Sequence, residues 1–246
     1  MFEHRIQHKT SWIVILSWFL MSFNGGFINA SIFVATGKFV SHVTGLFTMV
    51  GIGLGEEHDL EAFLILLIPA FFMLGAMLSG LLIDRPIYQK KAPHYDFAML
   101  ICGFSLLIAA LLGHASHDLP GLFSNMILMI FACFACGLQN GALTSSSGAS
   151  VRTTHLTGLT TDLGLGLARL LTFKKSDPAH GNEVRANSLR LGTLASFVIG
   201  AALGTWLYHQ LSYFCLIFSS AIAFYAAWVG RKQKYQLQRN ETLNPA

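Results

Sequence analysis

Long apolar stretches alternate with short polar ones along almost the whole chain. A helix needs roughly 20 apolar residues to cross the hydrocarbon core of a bilayer. Stretches that reach or approach this length predict membrane-spanning helices at 12–35, 62–83, 96–113, 122–143, 189–208 and 211–229. Two more polar stretches, 39–55 and 154–171, contain His, Thr and Gly, and the second also contains Asp162. We interpret these two as motif segments, because their polar side chains are poorly suited to face lipid.

The motif segments are related to each other by an internal repeat. Residues 42–54 and 155–167 are identical at eight of thirteen positions, at a constant offset of 113, and share the pattern H-x-T-G-L. Just before them, Asn29 and Asn140 occupy matching positions 111 residues apart. Self-similarity of this kind indicates a duplicated structural unit.

Small residues repeat after the motif segments as well. Gly75 and Ser79 in the first half correspond to Gly200 and Gly204 in the second, and this spacing lets helices approach closely in lipid. The sequence therefore predicts an all-α integral membrane protein. Its two related membrane repeats are expected at residues 12–113 and 122–230.

Composition agrees with a membrane location. Hydrophobic residues make up 53% of the chain and charged residues 11%, with a mean hydropathy of +0.55. A typical soluble domain has about 25% charged residues, so this chain could not cover a water-exposed surface. The net charge of +4 comes from basic clusters between the apolar stretches, where such residues determine topology. We expect the lipid bilayer as a partner, and no nucleic acid.

The positions of the basic residues favour six crossings. If the motif segments do not cross and the N-terminus is cytoplasmic, fifteen of the sixteen Lys and Arg residues lie inside and only Lys38 lies outside. If both segments cross, the split becomes eleven to five. Because Lys and Arg concentrate on the cytoplasmic side, we predict six transmembrane helices plus two re-entrant or broken segments. Each half then crosses three times, so the two three-span repeats must be inverted relative to each other.

The remaining stretches are predicted to lie outside the membrane. They are a cytoplasmic N-terminus (1–11), an external connector (114–121) and a basic cytoplasmic tail (231–246). The first residues lack the short apolar core and small-residue cleavage site of a removable signal peptide. We therefore expect a multi-pass protein of a bacterial inner membrane with both termini in the cytoplasm.

Four short motifs follow one another in a fixed order along the chain. They are G-x-x-N-A (26–30), F-V-x-x-x-T-G (39–45), G-L-Q-N (137–140) and V-R-T-T-x-x-T-G (151–158). With these motifs, the chain resembles the YoaK family of bacterial inner-membrane proteins over residues 12–230. The resemblance implies a multi-span membrane protein without an established activity. The family pattern has Asp where this chain has Asn29 and Asn where it has Leu46, and an amide at position 29 cannot carry a proton.

Inverted repeats with discontinuous helices often form a solute or ion site near the bilayer midplane. We therefore predict that polar residues of both halves line a substrate or pore site. They are Asn24, Asn29, His42, Thr44, Gln139, Asn140, Arg152, His155, Thr157 and Asp162, with the motif glycines Gly25, Gly26, Gly45 and Gly158. Asn24-Gly25-Gly26 is expected to interrupt the first span and open it toward a wet cavity. The alternative is that the glycines allow tight packing and the threonines bond back to their own helix.

His42 and His155 are the only ionisable pair that the repeat relates. Opposed re-entrant tips could bring them together as a proton relay or gate, whereas in the alternative each caps a half-helix at the membrane interface by bonding a loop carbonyl. Two histidines without a carboxylate or thiolate partner make an incomplete metal site, so we expect no metal and no cofactor. Asp162 could serve the site, or could pair with Arg152 or Arg169.

The sequence carries no signature of an enzyme. Cys133 and Cys136 form a C-x-x-C, but they lie in mid-helix without a second pair, so we interpret them as packing residues. We find no P-loop, metalloprotease or nucleophile-elbow motif. The preferred hypothesis is a channel or secondary transporter for a small solute or ion, with a homo-oligomer left open. The main alternative is a scaffold or assembly factor whose polar motifs only pack helices, and an enzyme acting on a lipid head group ranks last.

Overall fold

The computed structural model describes residues 12–115, 122–146 and 155–243, which fold into helices joined by short turns. In chain order the helices are α1 (Trp12–Thr36), α2 (Val43–Gly55), α3 (Asp59–Leu82), α4 (Asp84–Tyr88), α5 (Tyr95–Ala115), α6 (Leu122–Ser146), α7 (Leu156–Thr172), α8 (Pro178–Leu211) and α9 (Cys215–Leu243). A 3-10 turn, Ser212–Phe214, separates α8 from α9. The predicted all-α class is confirmed for these residues.

Within the described residues, five stretches are long and apolar enough to cross a membrane. They are Trp12–Thr36, Asp59–Tyr88, Tyr95–Ala115, Asn125–Ser146 and Pro178–Lys232. Large apolar side chains on their outer faces, such as Met73, Met77 and Val198, are more than half exposed. A protein surrounded by water rarely exposes so wide an apolar surface, so lipid is the medium that suits these faces.

Helices α1 and α8 run parallel and in close contact. Their contacts advance together along both helices: Ser22 Oγ donates to the carbonyl oxygen of Thr193 (2.9 Å), and Ser31 Oγ donates to that of Gly204 (3.1 Å). Such serine bonds to a neighbouring backbone are a common way for helices to associate where water is scarce.

Helices α3 and α6 cross in the same parallel manner. The thiol of Cys133 donates to the carbonyl oxygen of Ile68 (2.9 Å), and further along, Gly141 lies against Ser79. The first pair uses α1 with α8 and the second uses α6 with α3, so each crossing joins a helix of one half to a helix of the other.

Helices α5 and α9 run antiparallel. Gly113, near the end of α5, lies against Tyr213, which precedes α9, and Ser220 Oγ donates to the carbonyl oxygen of Gly103 (2.7 Å). The backbone N–H of His94 donates to the carbonyl oxygen of Leu82 (3.0 Å), which ties the start of α5 to the end of α3. Helices α1, α5 and α8 therefore end on one side of the molecule, and α3, α6 and α9 end on the other.

We name these two sides by their charged residues. The acidic end carries the turn between α2 and α3, with Glu56, Glu57, Asp59 and Glu61. The basic end carries Arg85, Lys90, Lys91, Arg231 and Lys232. Among the described residues, Lys38 is the basic residue that lies toward the acidic end, where it pairs with Glu61 (3.4 Å).

The motif segments form the short helices α2 and α7. Helix α2 has 13 residues, about 20 Å at 1.5 Å per residue, which is short of the roughly 30 Å hydrocarbon core. It packs on α3 as a hairpin, with Gly53 against Ala62. Helix α7 packs on α8 in the same way, with Gly166 against Asn187.

The expected interruption of the first span at Asn24-Gly25-Gly26 is wrong. Helix α1 is continuous from Trp12 to Thr36. A Cβ at Gly26 would overlap the carbonyl oxygen of Phe197 in α8, so the glycine allows two backbones to touch. A glycine inside a helix costs about 1 kcal/mol, a cost that such close packing offsets.

Helix α8 begins at Pro178, eleven residues before the predicted span 189–208. Asp177 caps this helix, since its side chain accepts a hydrogen bond from the backbone N–H of Ala179 (2.8 Å). Proline at the first helical position suits the start of a helix, where its missing N–H leaves no bond unmade. Because the residues around Pro178 are polar, the apolar pattern alone did not indicate that a helix starts there.

Candidate functional site

A network of neutral polar side chains lies at the centre of the bundle. Asn24 Nδ2 donates to Gln139 Oε1 (2.7 Å), and Gln139 Nε2 donates to the carbonyl oxygen of Met21 (2.8 Å). Ser219 Oγ donates to Asn24 Oδ1 (2.5 Å). The side chains of Asn24, Gln139 and Ser219 are 0–1% exposed. The network joins α1, α6 and α9, and buried amides bonded in this way avoid the cost of an unsatisfied polar group.

The structure brings two predicted residues, Asn24 and Gln139, into direct contact. It adds Ser219, which the sequence interpretation missed. The signal for it was weak, since Ser219 and Ser220 are the only polar pair within an otherwise apolar stretch, 215–230. Serines in membrane helices commonly bond only to their own backbone, so their presence alone did not indicate a network.

The stretch 37–42 turns back from the end of α1 into the bundle. Gly37 has a φ of 71°, a left-handed conformation that glycine adopts without strain. The backbone N–H of Ser41 then donates to Asn29 Oδ1 (3.1 Å), and the carbonyl oxygen of Val40 accepts from Cys133 Sγ (2.8 Å). Asn29 therefore fixes the backbone that leads into α2, a role that was not predicted for it.

Each H-x-T-G-L motif begins a short helix with the same local geometry. His42 precedes α2 and His155 precedes α7, and in each case a Cβ on the following motif glycine, Gly45 or Gly158, would overlap the imidazole. The ring therefore lies over the glycine in the first turn. Within the described part of the chain, neither imidazole makes a side-chain capping bond. Both histidines stand at the N-cap positions, and the alternative in which each bonds a loop carbonyl stays a prediction.

The threonines of the motifs face outward. Thr44 and Thr157 are exposed, and the next threonines bond back to them: Thr48 Oγ1 donates to the carbonyl oxygen of Thr44 and Thr161 Oγ1 to that of Thr157, both at 3.0 Å. These bonds are made by the second threonine of each motif, and the alternative that the Thr44 and Thr157 hydroxyls bond back to their own helix stays a prediction. Hydroxyls that bond within their own helix do not need a partner helix.

A cavity of about 350 Å³ opens between the ends of α3 and α6 and the start of α7. It lies toward the basic end, because α3 and α6 end there. Its lining combines polar and small residues: Ala76, Gly80, Asp84, Asn140, Gly141, Thr144, Ser145 and His155. Two predicted site residues, Asn140 and His155, thus line one cavity.

The structure does not bring the two motif histidines together. His42 follows α1 and packs edge-on against Phe39 (5.8 Å between ring centroids) on the side toward the acidic end. His155 lines the cavity toward the basic end. Asp162 is exposed on α7, and Arg152 lies outside the described residues.

A cluster of charged and amide side chains fastens α7 to α8, and sequence reasoning missed it. Glu183 accepts from Arg190 (2.8 Å) and from Arg169 (3.4 Å), and Asn187 Oδ1 also accepts from Arg190 (2.6 Å). Gly166 lies directly against Glu183 and Asn187. Arg169 therefore pairs with Glu183, not with Asp162. The signal was an acid and a base seven residues apart, Glu183 and Arg190, which share a helix face once α8 is known to start at Pro178.

The four cysteines are buried and free, as expected of packing residues. Among the described residues, no group of three His, Cys, Asp or Glu side chains could hold a metal ion.

The fold and its buried centre define a multi-pass helical membrane protein. The chain belongs to the family described as Protein of unknown function (DUF1275), whose model matches residues 17–229. The expected membership of a family without an assigned activity is thereby confirmed. No curated protein and no solved structure gives a significant match to the chain.

Proposed function

We propose that this protein passes a small solute or ion across a bacterial inner membrane, as a channel or secondary transporter, through a site between two inverted three-span repeats. The observation that carries the proposal is the placement of the neutral polar centre. Asn24 of the first half and Gln139 of the second bond to each other where the two halves meet. Transporters with inverted repeats commonly have their sites at such a junction.

Helix directions support the inverted arrangement. Helices α1 and α3 run in opposite directions. The segment between them, which contains α2, therefore begins and ends on the acidic side. Helices α6 and α8 also run in opposite directions, and α7 does the same on the basic side. The fifth apolar stretch, Pro178–Lys232, contains two helices broken at Ser212, where φ is 51°. Counted as two, it brings the crossings to the six that we propose.

The distribution of charge supports the orientation. Apart from Lys38, the Lys and Arg residues in the described part of the chain lie toward the basic end, which we therefore assign to the cytoplasm. Labelling of single cysteines tests this assignment. Position 57 should be accessible from outside, and positions 88 and 180 from inside. Cytoplasmic labelling at position 57 would contradict the inverted repeat.

The order and spacing of the four motifs also support a relation to the YoaK proteins, which we include in this proposal. Both halves contribute motifs to that pattern. It therefore describes a whole two-repeat protein and not one segment of it.

One observation favours the alternative role of a scaffold. The amides of Asn24 and Gln139 bond to protein partners, and Thr48 and Thr161 bond to their own helices. Polar groups satisfied in this manner could serve packing alone.

Replacing Thr44 and Thr157 by valine separates the two roles. Both side chains are exposed, so the double variant should lose less than about 0.5 kcal/mol of unfolding free energy. A transport role predicts altered flux of solutes in proteoliposomes with normal folding. No flux in either protein across a broad solute panel would instead support the scaffold.

A further inference from the structure

We propose that the solute of this site is a small uncharged molecule that both donates and accepts hydrogen bonds, and that it reaches the site through the cavity toward the basic end. This inference rests on the proposed function and names the class of solute. Three observations support it: the lack of charged residues in the apolar stretches around the centre, the polar lining of the cavity, and the different side chains at matching positions of the two ends.

The apolar stretches around the centre contain no formal charge, and the charged residues of α7 and α8 (Asp162, Arg169, Glu183, Arg185 and Arg190) belong to the hairpin at the basic end. Residues 12–36, 43–55, 62–83, 97–115, 122–146 and 191–230 include no Asp, Glu, Lys or Arg. A charge near the bilayer centre is costly unless a protein charge or backbone cage compensates it. The buried side chains at the centre, Asn24, Gln139 and Ser219, offer amide and hydroxyl dipoles instead. Such groups suit an uncharged solute with its own hydroxyls or amides.

The cavity offers the same chemistry nearer the surface. Asn140, Thr144, Ser145 and His155 supply an amide, two hydroxyls and an imidazole. Asp84 is the one formally charged side chain among the described lining residues, and it is exposed. A volume of about 350 Å³ admits a molecule of several heavy atoms.

The equivalent positions at the acidic end carry larger apolar side chains. The repeat aligns Thr144 with Phe33 and Ser145 with Val34. The ring of Phe33 stacks on Phe39 with 4.2 Å between centroids, and Phe39 packs against His42. The matching positions of the two ends thus differ in chemistry, with partly exposed aromatic rings at the acidic end and hydroxyls at the basic end.

Permeability of proteoliposomes tests the solute class with three probes: glycerol, urea and methylammonium. Glycerol and urea should cross faster than in protein-free vesicles. Methylammonium should cross about a hundredfold more slowly than glycerol, the factor that a charge at the membrane centre implies. Passage of methylammonium without glycerol or urea would overturn the inference and leave the proposed function intact. Passage of none of the three would count against both.

Two sets of variants test the route. Thr144→Phe copies Phe33, the residue at the matching position of the acidic end, and should abolish glycerol permeability, with Ser145→Phe as a second variant and Leu171→Phe, at an exposed position, as the control. Thermal unfolding verifies that each variant folds. In addition, a membrane-impermeant thiol reagent should label Ser145→Cys but not Val34→Cys. Unchanged permeability in both phenylalanine variants, or no labelling at position 145, would overturn the route.

Discussion

The two hairpins that carry the H-x-T-G-L motifs share a backbone plan and differ in how they are held. At the acidic end, α2 rests on α3 through an apolar contact between Gly53 and Ala62. At the basic end, α7 rests on α8 through Gly166, which lies against Glu183 and Asn187. Gly53 and Gly166 occupy equivalent positions of the repeat, and each lets its short helix lie close to the next helix. Among the described residues, the second hairpin adds a network of charged and amide groups.

The two crossings show no such difference. Gly26 lies against the carbonyl oxygen of Phe197, and Gly137 lies against that of Phe72. In both, the next closest backbone group is a nitrogen 3.1 Å from the added Cβ position, that of Ala201 or Ala76. The crossings therefore form a matched pair at the centre, while the hairpins around them have diverged.

The largest expected effect tests the equivalence of the crossings. Gly26→Ala and Gly137→Ala should each lower the free energy of unfolding by about 3 kcal/mol, because the added methyl group must push two helix backbones apart. Unfolding by SDS in mixed micelles measures this loss. Gly51→Ala is the control, since nothing lies within 4 Å of a Cβ there. A large loss at one crossing and none at the other would show that the two are not equivalent.

Much of this central pairing could be predicted from sequence. The small-residue spacing and the offset between the halves indicated close helix contacts and a duplicated unit. What could not be predicted was the continuity of α1 at Gly26, because a glycine that breaks a helix and one that admits a neighbour look alike until the neighbour is known. The partner, Phe197, lies 171 residues away along the chain.

The site was predictable in its residue types but less so in its connections. Asn24, Gln139 and Asn140 were expected to lie inside, and the structure has them lining the centre and the cavity. The predicted contact between His42 and His155 is absent from the described structure. It depended on the depth and direction of both short helices, which the sequence does not specify. The cluster around Glu183 was missed because helical spacing has meaning only where a helix has been recognised.

The second prediction sharpens the difference between the hairpins. Glu183→Gln leaves Arg190 without its carboxylate, and both side chains are less than a fifth exposed. We expect a loss of about 2 kcal/mol in unfolding free energy, since removing one partner of a largely buried pair strands the other. The matched change at the acidic end is Glu61→Gln, which breaks a pair with Lys38. Because Glu61 is 51% exposed, that loss should stay under about 0.5 kcal/mol. Equal losses would contradict the assigned difference between the two ends.

The smallest expected effect compares the two hairpin glycines directly. Alanine in place of glycine favours a helix by about 1 kcal/mol at either position. At Gly53 the new methyl group would lie 3.0 Å from the Ala62 Cβ, a tight contact that a small shift of α2 relieves, so the net change should be near zero. At Gly166 it would overlap Asn187 Oδ1 and lie 2.5 Å from Glu183 Oε1, and these atoms are held in place by Arg190. Gly166→Ala should therefore destabilise the protein by about 1 kcal/mol net, as measured by the same SDS titration. In the double variant with Glu183→Gln, the two losses of unfolding free energy should be less than additive. The reason is that Glu183→Gln already removes the ion pair with Arg190 that the methyl group at position 166 disturbs. Full additivity would mean that Gly166 does not act through this cluster.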